Sequence, residues 1–230
     1  ASIHNPFAAT RSMPLGTAEE QTKFKAGDEI FVHTFSSQRA TYRFDGSAWT
    51  PKDGKYLLWK EDMEHFVASY PAEWGEKGFN HEIYHHPTDQ SSTEKIAKAD
   101  LMSVELVQAK TKEALHFTMY RKTTRLIVEI AGFNPEFPGD AKVEDVRFNI
   151  KTNPDPSIPL KEYIPYAKGE GKKGSAYTVL VPHNLGGSTV SLTVGGKTMT
   201  AKLSSNNHFC GHSYTYRLTV GKEKLETTEV

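Results

Sequence analysis

An all-β chain assembled from antiparallel β-sandwiches is what this sequence predicts, on three observations. Apolar and polar residues alternate with a period of two through one short segment after another, the pattern of strands with one buried face. Those segments are rich in Val, Ile, Phe and Tyr, which fit a pleated, half-buried surface. Gly, Pro, Asn and Asp separate them, and about ten short strands divided by such turn residues favour a sandwich whose sheets each keep one face in water.

Along the chain, residues 28–35 place Ile30 and Val32 on one side and Phe31 and Phe35 on the other, and so read as a strand. Residues 41–49 hold Asp45-Gly46 between two apolar runs, a hairpin signal because Asp-Gly accepts the positive φ angles of a tight turn. Residues 54–59 and 65–70 read as a further pair of strands, the second ended by Pro71, which lacks a ladder donor. Residues 71–92 are irregular, with Trp74, Phe79 and Tyr84 on a polar background. Ser91 and Glu94 have the spacing of a capping box, and the Ala, Leu, Glu and Lys of residues 96–112 predict a helix by propensity alone. Period-two alternation returns at Leu115, Phe117 and Met119, then at Leu126, Val128 and Ile130, then at Val146, Phe148 and Ile150. Residues 151–175, with four prolines and then Gly169, Gly171 and Gly174, predict a connection far longer than is usual in compact domains. Residues 177–181 resume the strands. Val190, Leu192 and Val194 turn back through Gly195-Gly196 into residues 197–203, and Tyr214, Tyr216, Leu218 and Val220 close the series.

Composition narrows the function. The 230 residues carry 28 Lys+Arg against 28 Asp+Glu, with no basic cluster to release counterions from a phosphate backbone, so nucleic acid is not an expected partner. No run reaches the roughly 18 apolar residues of a membrane-spanning helix. The residues from Ala1 onward do not read as a cleavable leader, so the expectation is a soluble, processed chain. One cysteine, Cys210, makes neither an internal disulfide nor a thiolate zinc cage.

Three short motifs have catalytic readings. His81-Glu-Ile-Tyr-His85 matches a zinc-protease pattern, which needs a helix to bring both imidazoles to one metal. Gly75 and Gly78 precede it and His86-Pro87 follows, leaving about two turns of helix without an apolar face. In an extended chain the two would stand about 13 Å apart, so loop histidines are the reading taken and no metal is expected. Gly169-Glu-Gly-Lys-Lys-Gly174 fits a dinucleotide fingerprint in spacing, but a strand rather than a helix follows it, so it reads as a hairpin tip. Cys210 between His208 and His212 suggests an activated thiol, yet sequence neighbours on a strand face opposite ways, and a small buried residue at a strand start is the reading taken. No enzyme and no cofactor are expected.

Several segments carry a resemblance when taken in order: residues 3–11 ending Thr10-Arg11, Phe24-Lys-Ala-Gly-Asp-Glu-Ile30, residues 42–49, Phe66-Val-Ala-Ser-Tyr-Pro71, Ala99-Asp-Leu-Met102, residues 115–130, Tyr177-Thr-Val-Leu-Val-Pro182 and Gly211-His-Ser-Tyr-Thr-Tyr-Arg-Leu218. Across nearly the whole chain they resemble the fimbrillin family of Bacteroidales, surface pilins and pilus accessory proteins. The resemblance implies two transthyretin-like antiparallel β-sandwich domains in tandem, residues 1–112 and 113–230, and an irregular strand in place of the helix beyond about Ala99.

It further implies export through the periplasm and display at the outer membrane or in a fimbrium. Membrane contact would come only through a lipidated cysteine upstream of Ala1. Other fimbrial subunits are the implied partners, joined by β-strand addition once arginine-directed cleavage removes the first strand. Residues 3–7, bounded by Ile3 and Phe7, match that strand, and Arg11 matches the cleavage site. Residues 225–230 are shorter than the family's C-terminal donor segment and lack its aromatics. The alternative is a surface module that does not polymerise and binds a host glycan or surface protein by stacking on Trp74, Phe79 or Tyr84 beside the long loop at residues 151–175.

Overall fold

Alternating segments become ladders wherever a neighbouring edge lies within reach, and almost all of the regular structure is β. The structure, a computed structural model, describes residues 1–4, 15, 20–77, 86–137, 140–152, 157, 159–182, 186–203, 207–221 and 225–229. The chain divides into two units, Ala1–His85 with Asp100–Lys122, and His86–Ala99 with Thr123–Val230. A single cut at 112/113 does not describe this division, because residues 86–99 belong with the later part of the chain.

In the first unit, β1 (Ser2–His4), β2 (Glu29–Thr34), β3 (Arg39–Phe44), β4 (Trp49–Pro51), β5 (Met63–Tyr70), β6 (Met102–Ala109) and β7 (Thr118–Arg121) form one sheet. Its order is β1-β7-β6-β5-β2-β3-β4. Every pair is antiparallel except β1 with β7, which is parallel. Asp45 turns β3 into β4 by accepting the N–H groups of Ser47 and Ala48 at 2.7 Å each. The loop spans residues 45–48, wider than a two-residue turn, with Gly46 at φ +108°.

Ile3, Ile30, Val32, Phe66, Ala68, Met102 and Met119 form the apolar face of this sheet. Helix α1 (Ala72–Lys77) lies on the opposite face. At Gly75 a Cβ would meet Phe31 and Ser69 at 2.8 Å, so only glycine lets the helix approach this closely.

In the second unit, β8 (Thr124–Phe133), β9 (Glu144–Ile150), β10 (Lys161–Tyr163), β11 (Tyr166–Lys168), β12 (Ala176–Val181), β13 (Thr189–Val194), β14 (Lys197–Lys202), β15 (Ser213–Val220) and β16 (Leu225–Glu229) make two sheets. Their orders are β10-β9-β13-β14 and β11-β12-β8-β15-β16, with β8 and β15 parallel. Leu126, Val128, Ile130, Leu218 and Val220 of one sheet share a core with Val146, Phe148, Ile150, Val190 and Leu192 of the other, the construction of a sandwich.

The segment at residues 86–99 joins this unit through Gln90. Its side-chain amide donates to Leu180 O at 2.7 Å and accepts Leu180 N–H at 2.8 Å. Helix α2 (Thr93–Lys98) follows, its N-cap being Ser92, one residue later than the capping-box spacing suggests.

Three expectations about elements are corrected. The helix over residues 96–112 ends at Lys98, and β6 begins at Met102. Eight rungs to β5 outweigh the propensity of its residues. Residues 54–59 do not join a ladder; Leu57 and Trp59 fold over the apolar face, and the Gln38 amide bonds both Leu58 N–H and Leu58 O. The long connection at residues 151–175 contains β10 and β11, which use its polar alternation at sheet edges.

Candidate functional site

Among the described residues, the first unit's apolar face has no second sheet over it. Phe24, Leu57, Trp59, Leu115 and Phe117, all from irregular chain, lie against it instead. Phe24 meets Trp49 edge-on with ring centres 5.0 Å apart, Trp59 meets Phe66 at 5.4 Å, and Phe117 meets Phe66 at 6.2 Å. Such contacts fix ring positions without filling the space between the covering segments.

What remains is a cleft of about 680 Å³ floored by Ile30, Val32, Tyr42 and Phe66 and walled by Trp49, Leu57, Trp59, Leu115 and Phe117. Tyr56 and Leu58, each 69% exposed, stand at its lip. Glu113 and His116 supply charged and titratable groups among the lining residues. An apolar trough of this kind receives apolar side chains and offers little to a charged ligand.

β1 borders this region. Ser2 N–H donates to Phe117 O at 2.8 Å, Ser2 Oγ pairs with His116 Nε2 at 2.8 Å, and Ile3 is buried against the core. Phe7 and Arg11 lie outside the described residues.

The aromatic platform fares differently. Trp74 is only 6% exposed, on α1, so it offers no face for stacking; helix formation turns it inward. Phe79, Tyr84 and the His81-Glu-Ile-Tyr-His85 motif lie outside the described residues. Among the described residues no group of three or more His, Cys, Asp or Glu side chains could hold a metal ion.

Gly169, Gly171 and Gly174 occupy the bend between β11 and β12, all at positive φ. Cys210 is exposed in a turn before β15 rather than buried at a strand start. Its Sγ–H donates to Pro182 O, whereas the His208 ring meets Tyr216 Oη and His212 Nδ1 lies 3.1 Å from the Cys210 carbonyl. An apolar groove beneath residues 3–7 is expected of the fimbrial reading, but the part that residues 54–59 play in lining the cleft is not legible in the sequence, because they have the alternation of a strand.

The fimbrillin-like family model matches residues 15–230. The chain belongs to the fimbrillin-like family. Membership gives this fimbrillin-like protein a fimbrial or cell-adhesion role at the cell surface, in association with other fimbrial subunits. Solved structures share its fold. A candidate cell adhesion protein of Bacteroides ovatus ATCC 8483 superposes with a TM-score of 0.67 at 13% identity, covering 100% of this chain and 95% of the other. One from Bacteroides uniformis ATCC 8492 gives 0.60 at 17%, covering 90% and 91%. A fimbrial protein of B. ovatus gives 0.53 at 19%, with 86% of this chain matching 44% of that longer one. No curated protein sequence matches the chain.

Proposed function

We propose that this protein is a structural or accessory subunit of a cell-surface fimbria that accepts an extended strand from a neighbouring subunit in the first unit. The observation that carries this reading is the apolar face of the seven-stranded sheet, covered by irregular chain and holding an open cleft of about 680 Å³. An incoming strand buries alternate side chains at about 1.5–3 kcal/mol each and satisfies backbone groups in the same step.

The role is binding and assembly, not catalysis. On this reading the protein is exported through the periplasm and held at the outer membrane by a lipid anchor. Residues 3–7 act as the provisional strand. β1 (Ser2–His4), with which it begins, is three residues long and has Ile3 as its buried apolar contact, a small element to displace.

Cleaving the purified protein after Arg11 is the test. Heat-labile, detergent-resistant oligomers on a gel are expected; a persistent monomer would refute polymerisation by this route.

A further inference from the structure

A second acceptor lies in the sheet itself. Lys110 N–H donates to Asp62 O and Lys122 N–H donates to Leu101 O, each at 2.8 Å. Along β6, therefore, even-numbered residues address β5 and odd-numbered residues address β7. The ladder to β5 runs all eight residues, from Met63↔Ala109 to Tyr70↔Met102. The ladder to β7 has only two rungs, Met102↔Arg121 and Ser103↔Tyr120.

Continuing that register would set Glu105 opposite Thr118 and Val107 opposite His116, but residues 113–117 leave the sheet to cover its apolar face. Among the described residues, neither Glu105 nor Val107 forms a ladder pair with β7, whose register with β6 stops at Ser103↔Tyr120.

Among the described residues, this edge has little of the usual protection. Soluble proteins guard free edges with Lys, Pro, bulges or short strands. β4, at the far border of the same sheet, is three residues long and ends at Pro51. Residues 104–109 read Val-Glu-Leu-Val-Gln-Ala, with one charge, Glu105, and no Lys, Pro or bulge. Val104 and Leu106 are only partly buried on the core side, while Val107 is 58% exposed on the other side and Met63 is 53% exposed.

We propose that residues 104–109 of β6 form a preformed acceptor edge for one extended segment of a neighbouring fimbrial subunit. That segment is apolar at alternate residues and basic where it faces Glu105, whose carboxylate is 70% exposed. A polypeptide is the occupant because donors and acceptors recurring every second residue match a backbone, and because the inward row is aliphatic. The proposal rests on the strand-addition reading but needs no cleavage, since β1 occupies β7 and not this edge.

The probe is the acetylated, amidated peptide Thr-Val-Lys-Val-Thr-Val-Thr, added to the intact chain while backbone amide exchange is followed by NMR. Without peptide, the Glu105 and Val107 amides exchange at least 100-fold faster than those of Val104 and Leu106; with it, they slow at least 10-fold. Val107→Pro removes an outward N–H without touching the rungs to β5, so it abolishes peptide binding while leaving Val104 and Leu106 protected. A Glu105→Ala variant, which keeps every backbone group, binds several-fold more weakly and loses the preference for Lys over Glu in the peptide.

Protection of Glu105 and Val107 in the free chain, absence of binding to the intact chain, or unchanged binding by Val107→Pro overturns the proposal. Failure of the Arg11-cleaved chain to oligomerise while the peptide still binds removes the polymerisation reading alone. Normal oligomers without peptide binding remove this edge alone.

Discussion

Asp100 and Arg121 show what a buried charge demands. Their side chains are 4% and 1% exposed, Arg121 Nε donates to both carboxylate oxygens at 3.1 Å, and Arg121 Nη2 holds Gln21 O at 3.0 Å. Arg121→Ala leaves a buried carboxylate without this partner, so urea denaturation of the first unit should show a loss of about 3–5 kcal/mol. Adding Asp100→Asn should recover part of it.

His86 makes the second unit sensitive to acid. Burial, more than any other influence, lowers its pKa from 6.5 to about 3; Lys161 lowers it further and the bond to Ala99 O acts the other way. Because the unfolded imidazole takes a proton that the folded one refuses, stability is full above pH 6.5 and falls as pH drops towards about 3. The slope from this group is about 1.4 kcal/mol per pH unit. Denaturation at pH 7 and pH 5 should therefore differ by about 2 kcal/mol, and by much less in His86→Gln.

Glycines at one bend divide by their surroundings. A Cβ at Gly171 would lie 2.2 Å from Val143 O at φ +82°, whereas at Gly174 it meets nothing within 4 Å at φ +88°. Gly171→Ala should cost well over 2 kcal/mol in thermal denaturation and Gly174→Ala about 1 kcal/mol.

Two glutamines complete edges that strands leave unfinished. Gln38 bonds Leu58 through both N–H and C=O, and Gln90 does the same for Leu180. A primary amide carries one donor and one acceptor face, the same pair a backbone rung presents. Gln90→Ala leaves two buried backbone groups unpaired, and a loss of about 2–4 kcal/mol in the second unit is expected; Gln38→Ala, beside exposed chain, should cost less than about 1 kcal/mol.

These substitutes for a ladder explain what the sequence did and did not disclose. The alternation at Leu126, Val128 and Ile130 was readable because one face is wholly buried. At residues 54–59 the same alternation faces a core from irregular chain, and periodicity alone does not tell the two apart. Residues 102–109 alternate too, but Glu, Gln and Ala speak for a helix, and only the ladder to β5 decides between them. Trp74 read as a platform because its polar neighbours hid a helix that turns it inward. The cleft depends on segments far apart in sequence, so no local pattern could announce it.

For the molecule as a whole, the two units are stabilised differently. The second closes its core between two sheets, and among the described residues the first leaves an apolar face under irregular chain, with an open cleft and a strand, β6, that β7 pairs at only two rungs. On the proposed function, that open face is the surface a neighbour's strand completes. A photoreactive benzoyl-phenylalanine placed at Leu58, on the lip of the cleft, reports the occupant in assembled fimbriae after irradiation and mass spectrometry. Cross-links to one extended segment of a neighbouring subunit are the expected result. Adducts confined to the same chain, with fimbriae intact, would contradict strand addition at this site.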